Sequence, residues 1–95
     1  MSNLIETIVE LHRERLRSIV EDVNKENVSF VNTMRSIDKI PFGYEVLKED
    51  LRLKESRRHE KAMRELQKRS DNNDKWYCDF LKRLPNIEEE SEASE

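Results

Sequence analysis

Apolar residues recur at intervals of three and four from the start of the chain. Ile5, Val9, His12, Leu16, Ile19 and Val23 form one stripe, with Ile8 and Val20 beside it. That spacing marks a helix with one buried face. Arg13, Glu14, Arg17 and Glu21 occupy the opposite face. Asn3 and Glu6 stand three apart, as in a capping box, so the pattern predicts a helix over residues 3–23. Residues 24–27 are polar and read as a break. Val28, Val31 and Met34, with Phe30 and Ile37, then outline a shorter helix over 28–37. Pro41 and the only glycine, Gly43, fall in the connection 38–43, the best-marked boundary in the chain.

Beyond that boundary the pattern thins. Leu47 and Leu51 suggest a helix over about 44–51. Residues 54–61 contain no apolar side chain, and a helix packed along one continuous face should not skip two turns. A break is therefore expected near 52–56, with Ser56 as a candidate N-cap. Ala62, Met63 and Leu66 anchor a fourth helix over about 57–69. The polar run Asp71-Asn72-Asn73 reads as another break and cap. Trp76, Phe80, Leu81 and Leu84 line a last helix that Pro85 should stop. The expected core comprises Ile8, Leu16, Ile19, Val31, Met34, Leu47, Leu51, Met63, Leu66, Trp76, Phe80, Leu81 and Leu84.

Composition supports an all-α class. The 95 residues hold one Gly and two Pro, too few for the turns that hairpins and sandwiches need every ~8–12 positions. They suffice for one domain, expected over residues 1–84. Residues 85–95 carry five Glu and no base, which reads as a disordered acidic tail. Net charge is −3, so no global field draws the chain to nucleic acid or anionic lipid. The charge is uneven, however: residues 56–69 carry six basic and two acidic side chains. That segment is either a solvated face or a charged protein-binding surface, and a nucleic-acid footprint is the weaker reading.

Candidate chemistry is sparse. One glycine cannot build a phosphate-cradling loop, and His12, His59 and Cys78 are too scattered in sequence for a zinc site. His12, on the apolar stripe, reads as a half-buried packing residue and His59 as a solvated one. Cys78 reads as a small hydrophobe at the core edge. A single cysteine permits no internal disulfide and suggests a reducing compartment. No apolar run exceeds three residues, so no transmembrane span is expected. Neither an enzyme nor a cofactor is expected; a soluble cytoplasmic protein without a small-molecule substrate is.

Glu60-Lys61-Ala62, then Leu66, a polar break, and Trp76, Phe80, Leu81 and Leu84 together resemble helices 4 and 5 of a caspase recruitment domain (CARD). Arg13-Glu14-Arg15-Leu16 and the Ile40 to Leu47 segment are similar to other parts of that family, and the likeness covers about residues 4–84. Gln67, where the family often has Leu, and the lack of a clear sixth helix depart from it. The resemblance implies a compact antiparallel bundle of five to six helices of the death-fold (Greek-key) type. It further implies homotypic contacts with another CARD, or self-association into filaments, in apoptotic or innate-immune signalling. A basic surface on helices 1 and 4 (Arg13, Arg17, Arg57, Arg58, Lys61, Arg64) would meet an acidic one on helices 2 and 3 (Asp38, Glu45, Glu49, Asp50).

A rival reading rests on spacing alone. Ile5, His12, Ile19 and Val9, Leu16, Val23 form two interleaved seven-residue series, as in a coiled coil. They last under three heptads. A single long helix after residue 44 would favour this rival, a coiled-coil or helical-hairpin assembly subunit. A small helical nucleic-acid-binding protein is the third reading.

Overall fold

The computed structural model describes the backbone of residues 2–93 and the side chains of residues 3–84. Among the described residues two helices make up the fold: α1, Ser2–Asp38, and α2, Glu45–Ala93. They run antiparallel as a hairpin, joined by a connection at the Pro41-Gly43 boundary. In that turn Lys39 N–H donates to the Ser36 carbonyl (3.2 Å) and Ile40 N–H to the Ile37 carbonyl (3.0 Å), closing α1. The Tyr44 carbonyl accepts from Lys48 N–H (3.0 Å) and opens α2. Gly43 adopts φ 103°, a left-handed conformation that a side chain resists.

The expected compact bundle of five to six helices is therefore corrected to an extended hairpin. Its Cα extents are 78 × 16 × 10 Å, with a radius of gyration of 21.9 Å. A compact domain of this length would have a radius near ~12 Å. Each expected interior break is crossed by unbroken helix, for a physical reason visible at each place. At 24–27, Glu26 turns into the space between the helices, where Arg58 and His59 bind it. At 52–56, Glu55 turns inward too and is 8% exposed. At 71–73, Asn73 is 5% exposed and bonds across to α1. Polar residues fill inward positions that a hydropathy pattern scores as gaps. The stop expected at Pro85 is likewise absent, since α2 continues to Ala93. The tail expected over 85–95 falls on residues whose side chains lie outside the described part.

The helices meet along a single seam. On α1 it follows Ile5, His12, Ile19, Glu26 and Thr33, interleaved with Val9, Leu16, Val23, Phe30 and Ile37. Both seven-residue series thus run the length of α1. On α2 the seam passes through Arg52, His59, Leu66, Asn73 and Phe80, again seven apart, with Met63, Tyr77 and Leu84 alongside. Ile19 and Ile37 are the buried hydrophobic residues among those described. Leu16, Val31, Leu47 and Leu81, expected in the core, are 38–48% exposed, because two helices cover only one stripe of each other. Ile8, Met34, Leu51, Met63, Leu66, Trp76, Phe80 and Leu84 are half-buried.

Candidate interaction surface

Two polar clusters interrupt the seam. In the first, Arg58 Nη2 donates to Glu26 Oε1 (2.8 Å) and to Glu55 Oε1 (2.7 Å), bridging the helices. His59 Nδ1 lies 3.0 Å from Glu26 Oε1. A carboxylate only accepts, so this nitrogen carries the proton. The His59 ring stacks on Phe30 at 4.2 Å, which corrects the expectation of a solvated histidine. Hydrogen bonds from Arg58 and then His59 hold the Glu26 carboxyl below its ordinary 4.5. Glu55, followed by Glu26, pushes the Arg58 guanidinium up.

The second cluster lies towards the free ends. His12 stacks on Tyr77 at 4.3 Å, and its Nε2 lies 3.1 Å from Asp74 Oδ1. His12 is half-buried, as expected. Asn73 Nδ2 donates to the His12 carbonyl at 3.2 Å. The Arg15 guanidinium sits 4.5 Å over the Trp76 ring, and Arg69 pairs with Asp22 at 2.7 Å. Cys78 is exposed rather than at a core edge.

The depressed Glu26 value fixes the sign of a pH dependence. Glu26 binds fewer protons folded than unfolded near pH 4.5. Its contribution to stability is therefore present above that pH and lost as pH falls through the lower folded value. In thermal melts followed by circular dichroism from pH 7 to pH 3, Glu26→Gln should start lower than the parent and lose less on acidification. Parallel pH profiles for the two proteins would refute the linkage.

The charged residues singled out in the sequence lie on the outside of this hairpin, but not as two opposed surfaces. Arg13 and Arg17 are exposed on α1, level with the Asn73 end of α2. Arg57, Arg58, Lys61 and Arg64 lie about 12–28 Å further along the rod, from the rise per residue. Arg58 is engaged with Glu26 and Glu55. The acidic residues cluster at the turn. Asp38 and Glu49 both pair with Arg52 (2.7 and 3.0 Å), Asp50 pairs with Lys54 (2.8 Å), and Glu45 opens α2.

What sequence reasoning missed is an apolar flank. Leu16, Val20 and Val31 are 38%, 50% and 43% exposed. With half-buried Met34 and the seam-edge residue Val9 they run along one side of α1, Leu16 standing at the edge of the seam. Asn27 and, seven residues before Val20, the exposed Arg13 interrupt the flank. On the same side of the hairpin, by helix rotation, α2 presents Leu53 and Leu81, 50% and 40% exposed. The signal was present in the width of the α1 stripe, which exceeds the two heptad positions that a two-stranded seam uses. No described helix is long and apolar enough to cross a membrane.

No family model, curated protein or solved structure matches the chain. The resemblance to CARDs thus rests on the sequence motifs alone.

Proposed function

We propose that this chain is a non-enzymatic assembly subunit, a helical hairpin that completes its core by packing against another helical chain. One observation carries the reading: the hairpin leaves an apolar flank on α1, centred on Leu16, Val20 and Val31, that no described residue covers. The exposed area agrees with it. The chain exposes 7536 Å², whereas a compact monomer of 11.5 kDa exposes about 5,800 Å². Helices whose apolar face is wider than one seam are those of bundles with more than two members. The expected CARD pairing needs a basic and an acidic surface on a compact bundle, and the hairpin spreads those residues along a rod.

A photoreactive benzoylphenylalanine at Val20, in the full chain expressed in cells, tests the reading. Irradiation should give a covalent protein adduct from Val20 and none from Lys68, which is exposed on the outer side of α2. Absence of any adduct at Val20 would remove the proposal.

A further inference from the structure

We infer that the occupant of the α1 flank is a second copy of this chain, seated by a two-fold axis so that the two α1 helices cross antiparallel and the two hairpins form a four-helix bundle. The inference rests on the assembly reading above and names its partner.

An isologous interface requires one patch to be complementary to itself. The flank meets that requirement. It runs from Val9 to Met34, and its midpoint falls between Val20 and Val23. A two-fold at that midpoint sets Val9 against the partner's Met34 and brings Val20 beside the partner's Val20 and Val23. The same axis acts on α2 with no further adjustment. Seam contacts place His12 opposite Tyr77 and Phe30 opposite His59, which fixes the register of α2 against α1. In that register the axis sets Leu53 opposite the partner's Leu81. These are the two exposed leucines that α2 presents on this side. The pairing on α2 is independent of the residues used to place the axis.

The rim charges are mixed: the register that sets Leu53 opposite the partner's Leu81 also sets Glu60 opposite the partner's Asp74, which pairs with His12 in its own chain. The axis brings Glu6 within about one turn of the partner's Arg35, and symmetry makes the contact twice. Both residues are exposed, and among the described residues neither takes part in an ion pair. The opposite alignment, with α1 over the partner's α2, would lay the apolar flank against Glu60, Gln67 and Asp74, which are polar and exposed.

The area matches a dimer of this kind. The chain exposes about 1,700 Å² more than a compact monomer of its mass. Obligate homodimers bury roughly 1,000–2,500 Å² per subunit.

Sedimentation and site-specific cross-linking of the full chain test the arrangement. The parent should sediment at twice 11.5 kDa, and Val20→Glu should shift it to the single-chain mass with unchanged helicity. Val20 is half exposed, so the substitution spares the seam. In a Cys78→Ser background, Val20→Cys should form a two-chain product with a short bis-maleimide, and Lys68→Cys should not. A single-chain mass at all concentrations overturns the inference. The assembly reading is then decided separately, by whether the Val20 photo-adduct contains a different protein. A two-chain mass with no Val20→Cys product overturns this two-fold arrangement and leaves the assembly reading intact.

Discussion

Ile19→Ala should lower the melting temperature of the chain by about 10–20 °C. Ile19 is 6% exposed and sits at the middle of the first seven-residue series, between the two polar clusters. Removing a buried isoleucine beyond its β-carbon costs about 2–5 kcal/mol, depending on how far the site collapses. A two-helix layer closes more easily than a deep core, so the lower half of that range applies. One kcal/mol moves the midpoint of a domain this size by about 4–8 °C. Stability for a chain of this length is of order 5–14 kcal/mol, so the variant remains folded at room temperature. Val46→Ala supplies the control, since Val46 is 87% exposed and its loss should fall within about 0.5 kcal/mol. Thermal melts of the three proteins at one concentration decide the matter. An Ile19→Ala melt within 3 °C of the parent would mean, at ~4–8 °C per kcal/mol, that the seam is not the main stabilising contact.

That expectation depends on reading polar residues as members of the seam. The sequence made helix content, the 38–43 turn and the first seven-residue series legible. It did not disclose the length of either helix. Glu26, Thr33, Glu55, His59 and Asn73 all stand at inward positions, and hydropathy alone scores each as a gap. What makes them tolerable inside is pairing between residues about 32 or 61 apart in sequence: Arg58 with Glu26 and Asn73 with His12. Such pairing has no local signature. Pro85 misled for a related reason. A proline usually ends a helix because its ring clashes with the preceding turn and it lacks an N–H. That local penalty did not end α2.

The proposed interaction surface was legible only in part. Arg58 was singled out as a partner contact, and the structure spends it on Glu26 and Glu55. Leu16, Val31 and Leu81 were assigned to the core because their spacing is helical, and each is at least 38% exposed. Spacing identifies an apolar face but not what covers it. In a five-helix bundle the neighbours would come from the same chain. In a hairpin the described residues supply no such neighbours, which is why the same stripe is here proposed as a contact.

The polar seam also yields the second large effect, of opposite sign. Asn73→Leu should raise the melting temperature by about 4–12 °C. Asn73 is 5% exposed. The His12 carbonyl can only accept, so the Asn73 amide nitrogen must face it, and the amide oxygen is turned away. No donor among the described residues reaches that buried oxygen, although Arg15, Ser18 and Arg69 line the groove beside it. A buried acceptor left without a donor costs about 1–3 kcal/mol, while the single neutral bond to His12 contributes about 1. Leucine removes both and adds apolar contact with Ile19, for a net gain of about 1–1.5 kcal/mol. Asn72→Leu, at the neighbouring exposed position, should leave the melt unchanged. The asparagine therefore holds no advantage in stability. What it supplies is registry, because its bond to His12 forms only when residue 73 lies level with residue 12, as a buried asparagine fixes alignment in coiled coils. Amide exchange follows that role. Asn73→Leu should melt higher yet exchange faster at the free ends of both helices, where alternative seven-residue registers become accessible. A variant that melts lower than the parent would show that the bond to His12 outweighs the orphaned oxygen.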